Sequence, residues 1–360
     1  MSDSRMDRRE FVCDATVAAA GIAAGAANLG AAKPKETAAP ARSSILNFNE
    51  NMEYRRLGKT GLIVSAVCLG GHWKRLKASG AEFDKNRRDV VSRCIDVGIN
   101  YIDACSDSEV RAYTKAIKGR RDKMYLGFSW ISGEMRSKDF RTEATLLGSL
   151  ERGMKECGLD YVDLWRITMH EKSSDHTNGE VEEMMKALEK AKQQGKARFT
   201  GFSSHDRPHI KWMIETFPKS VDAICTPYTA KSKVLSQESL FDAVKTCDVG
   251  VFGIKPFSSN SIFKSLKADG QPGNLDDEED NKIARMAIRY ILCNPAITAP
   301  IPGLISLEQV DNMAKAVKER RELDKDGLGK AELEWLEKIH AEAWANLPAD
   351  YHWLRDWEYV

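Results

Sequence analysis

No C-x-x-C pair occurs among the eight cysteines, which stand singly at positions 13, 68, 94, 105, 157, 225, 247 and 293. That absence argues against an iron–sulfur cluster, a c-type haem attachment and a paired-thiol zinc site. Their irregular spacing does not frame a set of disulfides either. No G-x-G-x-x-G is present, so the phosphate-binding turn of a doubly wound dinucleotide fold is missing. Charge of one sign is also lacking: 54 Lys and Arg face 53 Asp and Glu, a formal net charge of +1. Nothing electrostatic then points to nucleic acid or membrane lipid as a partner. The charge-free run from Ala15 to Ala32 is mostly Ala and Gly, too poor in large apolar residues for a membrane anchor.

What is there begins before that run. Asp7-Arg8-Arg9-Glu10-Phe11-Val12 precedes it, and Gly30-Ala31-Ala32 offers small residues for cleavage. Arginine pair, aromatic and weakly apolar stretch stand in the order of a twin-arginine export signal, spanning residues 1–32. The other reading is a low-complexity start with a chance arginine pair. Residues 33–50, rich in Ala, Pro and Ser, read as a linker. The expectation is a protein recognised by the twin-arginine export machinery and delivered to the periplasm or beyond. A protein exported already folded would make its core in the reducing cytoplasm, with buried thiols acting as small apolar residues.

From residue 60 short apolar segments alternate with amphipathic ones. The strands are read as Val64 to Leu69, Asn100 to Ala104, Met124 to Phe128, Tyr161 to Ile167, Ala197 to Phe202, Val221 to Thr226, Val251 to Ile254 and Ile297 to Ile301. The helices between them start near Asp89, Glu109, Thr142, Glu180, Pro208, Ser236, Asp280 and Leu307. Eight βα units in about 260 residues predict an α/β fold, a (β/α)8 TIM barrel over residues 51–328. The polar segment Phe257 to Glu279 reads as a loop leaving the seventh strand. Residues 329–360 predict a C-terminal helix and a tail with Tyr351, Trp353, Trp357 and Tyr359, either docked on the barrel or lying over its mouth.

Gly98-Ile99-Asn100-Tyr101-Ile102-Asp103, followed by Gly119-Arg120-Arg121-Asp122-Lys123, resembles the second βα unit of an aldo/keto reductase. The opening Tyr54-Arg55-Arg56-Leu57-Gly58-Lys59-Thr60-Gly61, then Tyr161-Val162-Asp163-Leu164, Gly201-Phe202-Ser203-Ser204 and Ile301-Pro302-Gly303 continue the resemblance in order. It implies an NADP-dependent oxidoreductase acting on a small molecule. The family's chemistry uses a tyrosine as proton donor, a lysine that lowers its pKa, an aspartate that pairs with the lysine, and a histidine that orients the substrate. Asp103 matches the aspartate, as a possible catalytic residue. The tyrosine falls in a gap, because Ser108-Glu109 arrives three residues early in Asp103-Ala104-Cys105-Ser106-Asp107-Ser108-Glu109. The lysine position falls on Ser129 and the histidine position on Thr168, with His170, the other candidate, two residues on.

The resemblance carries a partial cofactor site: Gly71, Ser203, Ser204, Lys255, Pro256, Gly303, Ser306, Gln309 and Asn312. Cys225 stands where the family's amide-binding glutamine is expected, and Ile254 where an aromatic platform is common. NADP is therefore the expected cofactor, tightly held if present, with redox activity altered or weak. No residue is assigned as a metal ligand. His72, Cys105, Asp107, Glu109, His170 and His205 nevertheless reach the same rim, with Arg166 and Cys225 on strand ends. Two readings stay open there: unrelated polar residues on separate loops, or a transition-metal site. Asp103 without its lysine reads either as a hydrogen-bond acceptor or as a new general base. The functional alternatives to weak redox chemistry are a ligand-binding barrel without turnover, and a metal- or carboxylate-dependent enzyme on a polar substrate such as a sugar.

Overall fold

The computed structural model describes residues 42–73, 76–232, 238–264, 277–323 and 327–345, with 347 and 352. Residues 1–32, expected to be an export signal, most of the expected linker, the centre of the strand-seven loop and the tail residues Tyr351, Trp353, Trp357 and Tyr359 lie outside the described residues.

A hairpin opens the fold: β1 (Tyr54–Arg56) pairs antiparallel with β2 (Ile63–Ser65). Seven parallel strands follow in chain order: β3 (Tyr101–Ala104), β4 (Tyr125–Phe128), β5 (Val162–Thr168), β6 (Ala197–Ser203), β7 (Ala223–Pro227), β8 (Gly250–Ile254) and β9 (Ala299–Pro300). Residues 68–70 close the ring. Cys68 N donates to Pro300 O at 3.0 Å and Gly70 N to Pro302 O at 2.8 Å. On the other side Leu69 N donates to Tyr101 O, and Asp103 N to Leu69 O, both at 2.9 Å. The result is a (β/α)8 barrel.

One boundary differs from expectation. The apolar run Val64 to Leu69 is two segments, the end of β2 and the closing strand. Ser65 makes the break: its hydroxyl donates to Val67 O at 2.7 Å and its N–H to Asn100 Oδ1 at 2.8 Å, which turns the chain between them.

The helices are α1 (Gly80–Val97), α2 (Asp107–Ala116), α3 (Glu143–Cys157), α4 (Asn178–Gln193), α5 (Arg207–Thr216), α6 (Leu240–Cys247), α7 (Glu278–Cys293), α8 (Leu307–Arg321) and α9 (Lys330–Ala345). Their starts follow local chemistry. Thr142, Thr177 and Ser306 each cap a helix by accepting the N–H three residues on. No helix among the described residues is long and apolar enough to cross a membrane.

The strands sort their side chains by the two-residue period. Ile102, Phe128, Trp165, Ile167 and Phe202 face outward under the helices in the main core. Leu57, Leu62 and Val64 fill the hairpin end of the barrel, and Tyr101, Leu164, Cys225 and Phe252 fill its interior. This interior is packed solid, so chemistry is confined to the strands' C-terminal ends.

Candidate active site at the barrel mouth

Asp103 projects inward near the end of β3 and is buried. Its partner is Arg166, one of the inward positions of β5. Arg166 Nε donates to Asp103 Oδ1 at 2.9 Å and Nη2 to Oδ2 at 2.8 Å, a two-pronged ion pair with both side chains almost inaccessible. Burial pushes the Asp103 carboxyl up, and the guanidinium's charge and hydrogen bonds oppose that shift. Arginine keeps its proton, so a charged guanidinium always faces the Asp103 carboxyl. Asp103 is thus a hydrogen-bond acceptor with both oxygens engaged, and a free general base is not what the geometry provides.

The pair continues into a second cluster. Arg166 Nη1 reaches Thr168 Oγ1 at 3.3 Å, and Thr168 Oγ1 lies 2.8 Å from Ser129 Oγ. Ser129 donates to Glu134 Oε2 at 2.6 Å. The backbone N–H groups of Thr168 and Trp130 donate to Glu134 at 2.7 and 2.8 Å. Ser129 and Thr168, which stand where the resemblance expects a lysine and a histidine, are therefore tied together by a fully buried carboxyl group. Glu134 was not visible as a site residue in the sequence. It sits just past a single 3-10 turn (Ile131–Gly133), where no periodicity marks which way a side chain points. Arg166 did carry a signal, being a charged residue at an inward-facing strand position.

Glu134 gives a pH prediction. Burial pushes its carboxyl up to about 7, more than its hydrogen bonds pull it down. The folded chain then keeps a proton between about pH 4.5 and 7 that the unfolded chain releases. Stability should fall as pH rises through that window, by about 3 kcal/mol from this group, and level off above it. Urea unfolding at several pH values should show this slope in the wild type and not in Glu134→Gln. Parallel slopes would mean that Glu134 ionises as an ordinary glutamate.

The third cluster lies in the segment after β3 that the resemblance reads as three residues short. Ser106 caps α2, so the helix starts at Asp107 and brings Glu109 under the first barrel loop. Glu109 Oε1 accepts His72 N at 2.7 Å and lies 2.8 Å from His72 Nδ1; Oε2 accepts Cys105 N at 2.8 Å. Cys105 Sγ is 3.6 Å from His72 Nδ1 and 3.8 Å from Nε2. Burial alone would raise the Glu109 carboxyl, but the His72 side chain and the two backbone donors hold it below the usual carboxylate range. Burial, then Glu109, pushes the Cys105 thiol up. The reading of these three as unrelated residues on separate loops is thereby overturned. Asp107 instead accepts from Ser132 N at 3.2 Å and pairs with the Ser132 hydroxyl.

His170 is held by neighbours on the loop after β5. Its Nε2 lies 3.1 Å from Arg141 Nη2, and its ring stacks on His176 at 4.8 Å. Burial, then His170 and Arg141, brings His176 down to about 4, which keeps it neutral.

The cofactor candidates separate into two groups. Gly71, Ser203, Lys255, Pro256, Gly303, Ser306 and Gln309 line the ends of the closing strand, β6, β8 and β9 and the start of α8. Gly71 and Gly303 must be small for the barrel's own sake. A Cβ on Gly71 would meet the Glu109 carboxyl at 2.0 Å, and one on Gly303 the Gly71 carbonyl oxygen at 2.3 Å. Lys255 has a left-handed backbone, φ 57°. Gln309 Oε1 accepts Ile305 N at 2.9 Å, completing the α8 cap. Ser204 and Asn312 are engaged elsewhere. The Ser204 hydroxyl bonds Ser173 Oγ and Glu171 O, and Asn312 joins α8 to α7 through Arg285 and Asn281 O. Cys225 is buried in the barrel interior and Ile254 lies half-buried at the end of β8.

A family model for the aldo/keto reductase family matches residues 67–332, nearly the whole barrel. The chain belongs to the aldo/keto reductase family. It is similar to an L-galactose dehydrogenase of Arabidopsis thaliana, 25% identical over 76% of this chain and 91% of that protein. An L-glyceraldehyde 3-phosphate reductase of Escherichia coli K12 is 23% identical over 74% of this chain and 88% of its own. Among solved structures, an aldo-keto reductase from Bacillus halodurans in its holo form superposes with a TM-score of 0.59 at 21% identity, covering 80% of this chain and 96% of that one. One from Klebsiella pneumoniae, in complex with NADP and acetate, gives 0.58 at 18% identity, covering 79% and 94%. The chain is an aldo/keto reductase-like oxidoreductase barrel.

Proposed function

We propose that this is an exported aldo/keto reductase relative that holds NADP at the barrel mouth and carries out altered or slow redox chemistry. The observation that carries this reading is the closed network Asp103–Arg166–Thr168–Ser129–Glu134. It stands where the resemblance expects the aspartate, lysine and histidine of the family's proton relay, and the tyrosine beside it, Tyr101, is fully buried, its hydroxyl sharing the space next to Gly127 with Asp103. Support for the cofactor comes from Lys255, whose charge suits a phosphate, and from the start of α8 beside Gly303, where amide N–H groups suit an anion. The Klebsiella relative is itself an NADP complex. Outside the cytoplasm a released nicotinamide could not readily be replaced, so NADP would have to be tightly held.

Because Cys225 and Ile254 offer neither amide contact nor aromatic platform, the nicotinamide ring contributes little. NADP⁺ and adenosine 2′,5′-bisphosphate are expected to bind with similar affinity, both weakened in Lys255→Ala. Calorimetry on tag-free protein checks this; no heat with either ligand at millimolar concentration overturns the cofactor reading. The ligand-binding barrel without turnover would then take its place, since the same closed network favours it.

Export is tested separately. Arg8→Lys combined with Arg9→Lys should leave the full-length precursor in the cytoplasm, followed by fractionation and immunoblot. Mature protein outside at the wild-type level would remove the signal assignment.

A further inference from the structure

We infer that His72, Cys105 and Glu109 form a binding site for one divalent transition cation of the zinc class. One ligand atom from each residue lies within 4.8 Å of the other two. An imidazole, a thiolate and a carboxylate are the donor types that zinc accepts, and two anionic ligands neutralise a doubly charged ion. Around a tetrahedral ion with metal–sulfur near 2.3 Å and metal–nitrogen near 2.0 Å, sulfur and nitrogen sit about 3.5 Å apart. The separations from Cys105 Sγ to the two His72 ring nitrogens are 3.6 and 3.8 Å. On binding, the thiol proton passes to solvent and the sulfur lone pair takes the metal.

The local backbone is built around this group. His72 holds a left-handed conformation, φ 63°, which a residue with a Cβ adopts at a cost. The preceding Gly71 leaves room for the Glu109 carboxylate. Together they fold the first loop so that the His72 N–H and ring both face Glu109, with the ring open to solvent. A three-ligand site would leave a fourth position for a water or an oxygen ligand, and Asp103 is close enough for its charge to act on Cys105. The three residues are supplied by the shortened segment and the first loop, so the site occupies the region from which the family's tyrosine is absent.

The test uses metal-free, tag-free protein titrated with Co²⁺ and followed by absorption. One ion per chain should bind with a thiolate-to-cobalt charge-transfer band in the near ultraviolet, and Zn²⁺ should abolish the band by displacement. Cys105→Ser should remove the band. His72→Gly, which relieves the backbone strain and so should fold well, should weaken binding by at least about tenfold. Glu109 also ties two loops, so its substitution is not used. Absence of a charge-transfer band at saturating Co²⁺, or a band that survives Cys105→Ser, overturns the proposal. Neither outcome depends on nicotinamide binding.

Discussion

Purified protein supplied with NADPH and a small aldehyde should show almost no oxidation of the cofactor. The family's reaction needs an acid that hands a proton to the carbonyl oxygen as hydride arrives, and positioned acid–base groups contribute on the order of 10²–10⁴ in rate. On the reading proposed above, the donor is absent and Ser129 stands at the lysine position, so both acid and pKa tuner would be lost. Among the described residues, the two tyrosines considered as substitutes, Tyr101 and Tyr228, are both buried. Tyr101 is fully buried in the barrel interior, stacked against Phe252 with centroids 4.5 Å apart, and burial raises its phenol well above the ordinary value. Tyr228 is almost as buried and accepts a hydrogen bond from Asn294 at 3.0 Å. Turnover should therefore fall at least two to four powers of ten below the common enzymatic range of about 1–10³ s⁻¹. Stopped-time NADPH absorbance at high protein concentration measures it. Ordinary turnover would mean that a group outside the Asp103 network donates the proton, and His72 would be the first to substitute.

The architecture was legible because it is written locally. Thr142, Thr177 and Ser306 cap helices whose apolar faces repeat every three to four residues, and the βα alternation leaves few other ways to bury eight apolar strands. The strand that was mis-framed, Val64 to Leu69, fails because hairpin and barrel segment are equally apolar, and only the Ser65–Asn100 hydrogen bonds separate them. At the site, the loss of the tyrosine is an expectation from the resemblance, which reads the segment from Asp103 to Glu109 as three residues short. The partner of Asp103 was not legible, since it depends on the register of β5 against two neighbouring strands. The approach of His72 to Cys105 and Glu109 likewise depends on barrel closure, a contact between segments more than thirty residues apart. Asn312, which the resemblance places near the adenine end of a cofactor, has its amide held by Arg285 and by Asn281 O, contacts that also depend on how α7 and α8 pack.

Removing Arg166 should cost more stability than any other single change at the mouth. In Arg166→Met, Asp103 would remain inside the barrel with both oxygens stripped of their donors. Breaking a buried ion pair from one side typically costs about 3–5 kcal/mol, because the remaining charge has no compensation. The penalty should depend on pH in a defined direction. With the opposing guanidinium gone, burial raises the Asp103 carboxyl further, so the folded variant binds a proton that the unfolded chain has lost. Its stability then falls as pH rises through that window, and the deficit against wild type should be smaller near about pH 5 than near about pH 8. Replacing both partners, Asp103→Leu with Arg166→Met, should recover most of the loss, since an apolar pair of similar volume leaves no charge to bury. Thr168 would keep its hydrogen bond to Ser129 in the double variant. Urea unfolding of the four proteins closes the cycle and gives the coupling directly. If Arg166→Met costs under about 1 kcal/mol and the coupling is negligible, Asp103 is not held as an ion pair, and the general-base role set aside here would return.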